Sequence, residues 1–185
     1  MKTAFLLVIT LLLQFHAQAA EKLSRIEAND VITGNTLTVE LNDKEKKGSV
    51  LVFLSAKCPC SASHEALLNE LSAKYPDFRF VGVHSNADER PTETKEHFEK
   101  AKLAFPVIQD SKNKWANELG ALKTPHAFVF NSSGELLYQG GVTDSHVGPS
   151  AKKQFLKDVL DDIEAGKSPR IKEGRALGCF IQRED

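Results

Sequence analysis

An apolar run, Ser49-Val50-Leu51-Val52-Phe53-Leu54-Ser55-Ala56, constrains this chain most, because it leads almost directly into Cys58-Pro59-Cys60. Aliphatic and β-branched side chains in such a run predict a central strand covered on both faces. Beyond the cysteines, Ala66, Leu67, Leu68, Leu71 and Tyr75 recur at helical spacing, so a helix is expected over 61–74, ending before Pro76. Two thiols therefore stand where a buried strand becomes a helix. Unpaired backbone N–H groups and the positive end of the helix dipole favour thiolate there. Thiolate is the form that attacks disulfides and binds soft metals. The ammonium of Lys57 is expected to act in the same direction.

The rest of the chain builds around that junction. Leu37-Thr38-Val39-Glu40-Leu41 alternates and suits an edge strand, and Asn42 to Lys47 is a polar turn closed by Gly48. Phe78 to His84 reads as the next strand. A loop over 86–91 precedes a helix that Thr92 can cap and that runs to Leu103. Phe105 to Ile108 is a short apolar segment, and Lys114 to Leu119 a short helix closed by Gly120. Two strands, 127–130 and 136–139, flank the turn Asn131-Ser132-Ser133-Gly134. A last helix over 152–165 turns Phe155, Leu156, Val159, Leu160 and Ile163 to one face, and an irregular tail from Ser168 carries Cys179. Strand, helix, strand, helix, hairpin and helix make an α/β fold, a mixed sheet with helices on both faces. Ligands gather beyond the carboxyl ends of parallel strands in such sheets. Cys58 and Cys60 follow one strand end, and His84 lies at another.

The first residues are of a different kind. One positive charge at Lys2, an apolar stretch over 4–13 and Ala17-Gln18-Ala19 make a secretory signal, residues 1–19. The stretch is about ten residues, where a membrane span needs about 20. The expected mature chain is one domain over 20–185, with its core at about 30–167, exported to the periplasm or the cell exterior. No segment after the cleavage point could cross a membrane. A formal net charge of −1 gives no reason to expect a nucleic-acid partner. Export sharpens the cysteine question. The chain has three cysteines, so one is left over if two pair. Cys58 and Cys60 enclose too small a loop to act as a staple, which favours a chemical use.

At this point the chain resembles the thioredoxin-like superfamily. Ser55-Ala56-Lys57-Cys58-Pro59-Cys60 at a strand–helix junction looks like its active site, and Leu122-Lys123-Thr124-Pro125-His126-Ala127-Phe128 looks like its cis-proline strand. The hairpin that ends at Gly140-Gly141 fits as well. The tail Gly178-Cys179-Phe180-Ile181 is similar to that of exported redoxins related to alkyl-hydroperoxide reductase and thiol-specific antioxidant. The resemblance implies a thioredoxin-like fold and a thiol–disulfide oxidoreductase. Cys58 then attacks, Cys60 or Cys179 resolves, and Thr124 with Pro125 presents the surface that a substrate meets. It also implies a protein or small-molecule disulfide as substrate and a redox partner protein. The chain departs from the pattern in two ways. Ser61 stands where the usual second cysteine would be, and Lys57 replaces the common tryptophan. Ser55 and Leu51 occupy the places of the peroxiredoxin Thr and Pro, so peroxide reduction is less supported than disulfide exchange.

Two other classes compete with this reading. Six histidines are present, and a Cu(I) chaperone could use Cys58 and Cys60 with His126 or His84, with His64 and His146 nearby in the expected fold. No other cofactor is called for. A module that only binds a partner chain would leave Cys58 dispensable.

Overall fold

The computed structural model describes residues 24–184, so the expected leader over 1–19 lies outside the described residues. Strand β3 (Gly48–Leu54) is buried along its whole length, as its unbroken apolar run demands. It pairs in parallel with β4 (Phe78–His84) on one side and antiparallel with β7 (His126–Asn131) on the other. The parallel edge strand β5 (Val107–Gln109) and the antiparallel β8 (Leu136–Gly140) complete a five-stranded mixed sheet in the order β5-β4-β3-β7-β8.

Pleating sends alternate β3 residues to opposite faces. Val50, Val52 and Leu54 meet α2 (Glu65–Lys74), Phe98 of α3 (Pro91–Ala101) and Leu156, Val159 and Leu160 of α5 (Phe155–Glu164). Leu51 and Phe53 meet Trp115 and Ala116 of α4 (Lys114–Leu119) and Ile26 and Val39 of a separate hairpin. That hairpin is β1 (Arg25–Asn29) with β2 (Thr36–Glu40). The alternating stretch around Val39 is therefore half of a two-stranded ribbon packed on the sheet face, not an edge of the main sheet. Phe53 and Phe128 cross edge to face with ring centres 5.6 Å apart.

Two expectations need correcting. The helix expected over 61–74 is two helices, α1 (Pro59–Ala62) and α2, broken at Ser63 and His64. The cause is side-chain competition for the backbone: Ser63 Oγ donates to the Cys60 carbonyl at 2.9 Å, and His64 Nδ1 bonds the same oxygen at 2.7 Å. The tail is not loose. Cys179 and Phe180 form β9, antiparallel to β6 (Lys123–Thr124), with Thr124 opposite Cys179 and Lys123 opposite Phe180. Ile181 then buries itself in the second core with 6% exposure, and its N–H reaches the Leu122 carbonyl at 3.0 Å.

Phe53→Ala removes the ring that joins the sheet to the α4 face. It should cost about 3–5 kcal/mol of stability, read as a lower midpoint in denaturant with an unchanged slope.

Candidate active site

The pairing of β3 assembles the site. Its last residue, Leu54, lies beside His84, and Phe53 lies beside His126. Four residues beyond Leu54 comes Cys58, with the Thr124–Pro125 turn across from it. The Thr124–Pro125 bond is cis, the one bond type for which cis is cheap. Cys58 Sγ sits 3.1 Å from the Thr124 carbonyl, which accepts from the thiol form.

Cys58 is 2% exposed. Burial alone would raise its pKa, and that is the largest single influence on it. The thiol is nevertheless more acidic than an ordinary cysteine. Cys179 bears on it through its thiol and its backbone N–H, and the Ser61 N–H reaches Cys58 Sγ at 3.4 Å. The other two thiols move the opposite way. Hydrogen bonding to Cys58, then burial, pushes Cys179 up to about 12. Burial, then the Cys58 charge, raises Cys60. Of the three thiols, Cys58 is thus the one most readily ionised. All three cysteines are free, with Cys58 buried, Cys60 half-buried and Cys179 exposed.

The expected sources of thiolate stabilisation need revision. A helix of one turn supplies little dipole, and what remains is the Ser61 N–H. Lys57 is drawn to the other side, where its Nζ donates to the Asp88 carbonyl at 2.8 Å and pairs with Glu93 at 3.4 Å.

A buried carboxylate that the sequence reading missed underpins the turn. Glu89 accepts from the Ser55 hydroxyl and, at 2.8 Å, from the Ala56 N–H. Ser55 Oγ in turn accepts from the Cys58 N–H at 3.0 Å. His84 Nε2 lies 3.0 Å from Glu89, and its Nδ1 lies 2.9 Å from Gln109. Burial opposes the Glu89 charge most strongly, but the contacts from His84 and Ser55 hold its carboxyl below the usual range. A polar loop hid this residue. The only sequence signal was an acidic side chain a few positions after the strand that ends beside the cysteines.

The histidines divide. His84 has both ring nitrogens engaged. His64 Nε2 bonds Thr143 at 2.8 Å. His126 takes the Leu122 N–H on Nδ1 at 3.3 Å, and burial pushes its pKa down to about 4. Among the described histidines, His146 alone touches a cysteine sulfur, with Nδ1 at 3.7 Å from Cys60. Among the described residues, no group of three or more His, Cys, Asp and Glu side chains is arranged to hold a metal ion. His126 and His84 are thus not brought to the sulfurs in a ligand set with Cys58 and Cys60.

A five-stranded mixed sheet flanked by helices, with a buried cysteine at a strand–helix turn beside a cis-proline, is a thioredoxin-like fold. A secreted Mycobacterium tuberculosis disulfide oxidoreductase homologous to E. coli DsbE shares it, with a TM-score of 0.55, 18% identity, and 76% of this chain matched to 95% of that one. A hypothetical protein from Sinorhizobium meliloti superposes at a TM-score of 0.75 with 22% identity, over 86% of this chain and 91% of that one. The chain belongs to the family described as a domain of unknown function, DUF6436, which matches residues 28–183. It is also 27% identical over 142 residues to the plasmodial-specific protein LAV1-2 of Physarum polycephalum, covering 65% of this chain. The match spans 40% of that relative's length.

Glu89→Gln should cost about 3 kcal/mol at neutral pH, because it leaves His84 and the turn amides without their anion. The Glu89 pKa lies below its ordinary 4.5 when folded, so its contribution is full above that value and is lost as pH falls through the folded pKa. The stability gap between wild type and variant should therefore narrow as unfolding is repeated at pH values falling below 4.5. A gap that stays constant would contradict the assignment.

Proposed function

We propose that this protein is an exported thiol–disulfide oxidoreductase in which Cys58 attacks and Cys179 resolves. One observation carries the reading: buried Cys58, the most acidic of the three thiols, lies against the thiol of Cys179, on a strand pinned beside the cis-proline. Cys58 thiolate attacks one sulfur of a substrate disulfide. A Cys58–substrate disulfide forms and the first thiolate leaves, taking up a proton. Cys58 has now lost its charge, and with it goes the main influence holding the Cys179 proton. Cys179 deprotonates and attacks Cys58 Sγ. A Cys58–Cys179 disulfide forms and the second substrate thiolate leaves. Two electrons have passed to the substrate, and a dithiol partner protein restores the reduced state.

Exposure suits the return step. The sulfur of a Cys58–Cys179 disulfide that an outside thiol can approach belongs to the exposed residue, Cys179, not to buried Cys58. Membership among exported redoxins rests on the tail Gly178-Cys179-Phe180-Ile181, and export on the leader-like residues 1–19. Among the described residues no helix is long and apolar enough to cross a membrane.

Peptide mapping after mild oxidation of the full chain should yield Cys58 joined to Cys179, and Cys179→Ser should accumulate the mixed disulfide at Cys58. A Cys58–Cys60 bond as the main product would overturn the choice of resolving thiol. Alkylation provides an independent check. Cys58 should react first at neutral pH, and Cys58→Ala should speed alkylation of Cys179 at mildly alkaline pH by at least about tenfold, since the thiolate that raises its pKa is gone. Mass spectrometry reads both rates.

A further inference from the structure

The edge beside Cys58 is already occupied. A polypeptide that offers a disulfide to Cys58 would most simply add its backbone to the short strand at Thr124, as an extended segment adds to any free sheet edge. Here Cys179 and Phe180 hold that edge, with Cys179 opposite Thr124. The occupant is firmly seated. Ile181 is buried in the core, the Gln182 N–H donates to Asn86 Oδ1 at 2.9 Å, and the Gln182 carbonyl accepts from the Ala87 N–H at 3.0 Å. The Glu184 N–H reaches Asn113 Oδ1 at 2.8 Å. Gly178 lies so near that a Cβ there would overlap the Thr124 carbonyl oxygen.

Beside Cys58 a small cleft remains open. It holds about 170 Å³ and is lined by Lys57, Asn86, Asp88 and Glu89, with Cys179 and Phe180 also contributing. One wall of it, Asn86, is 5% exposed, and its Oδ1 accepts from the Gln182 N–H, which ties the tail to the cleft.

From these features, and resting on the redox reading above, we infer that the substrate is a low-molecular-weight disulfide and that the chain's own C-terminal strand excludes extended polypeptides. The cleft beside Cys58 admits one half of such a molecule. The tail therefore has two uses: it brings Cys179 to Cys58, and it fills the place a peptide would take.

The test uses the reduced full chain with Cys60→Ser and Cys179→Ser, which stops the reaction at the Cys58 mixed disulfide. Two probes are compared, cystine and scrambled ribonuclease A (an unfolded polypeptide with accessible disulfides). Each rate is normalised to that of free dithiothreitol. Cystine capture should exceed polypeptide capture by about tenfold or more, a gap set by exclusion rather than by intrinsic reactivity. Adding Ile181→Asp, which ejects the tail from the core, should raise the ratio of polypeptide to cystine capture by about tenfold, a ratio that cancels any change in Cys58 reactivity common to both probes. Gly178→Ala lifts the strand without touching the core and serves if the first variant does not fold. Equal capture of both probes by the parent, or no gain in the ratio of polypeptide to cystine capture with the tail released, would overturn the inference and leave the redox reading standing. Capture of neither probe would remove the role of Cys58 itself, and this inference with it.

Discussion

The need to hold charge on a cysteine that is 2% exposed is the constraint around which this molecule is organised. Water cannot stabilise such a charge, so the protein must supply donors. It does so from two distant parts of the chain, the turn after β3 and the C-terminal tail. The first turn after β3 contributes the Ser61 N–H, the tail contributes the thiol and N–H of Cys179, and Ser55 holds the Cys58 backbone in place. Ser55 depends in turn on Glu89, and Glu89 on His84. Removing any link loosens the next. The central sheet matters here because β3 pairs on both sides, and that pairing sets Glu89 below the turn and Thr124 opposite it.

Charge distribution within the site follows from the same constraint. Three thiols close together cannot all ionise, since each new charge raises the cost of the next. The position with the most donors ionises first. Cys60 and Cys179 are pushed to hold their protons while Cys58 is charged. On the proposed mechanism, nucleophile and resolving thiol are separated in time by electrostatics, without a histidine acting as base. His64, His84 and His126 are each engaged elsewhere, and His146 touches only Cys60.

Local signals in the sequence carried much of this. The apolar run of β3, the apolar strand β4 and the turn between β7 and β8 lie where composition and spacing place them. So does α4, which ends at Gly120 with a left-handed backbone. Cys58 and the Thr124–Pro125 bond were legible for the same reason, since strand ends and X–Pro pairs are local features. Long-range pairings were not. Nothing near Cys179 announces Thr124 as its partner, and a tail with two exposed strand residues reads as irregular until Ile181 is seen entering the core. Glu89 looked like loop solvation because its value comes from Ser55, 34 positions earlier. The helix after the cysteines broke early because Ser63 and His64 both turn back on the Cys60 carbonyl, a contest that periodicity does not register.

The unusual Cys58-Pro59-Cys60 spacing makes sense once the tail is in place. A bond between these two sulfurs would close a ring around a single proline, whose φ is fixed, and disulfide geometry tolerates little distortion. Cys179 comes from a separate strand and faces no such ring. Its approach is set by backbone pairing with Thr124 and by the burial of Ile181. On the proposed mechanism, a second thiol one residue nearer than in the common pattern is a poor rival for resolution, and the helix needs no cysteine at Ser61. That position instead donates its N–H to the Cys58 sulfur, and its hydroxyl oxygen accepts from the Ser55 N–H at 3.1 Å. The residue that replaces the second cysteine has become part of the support for the first.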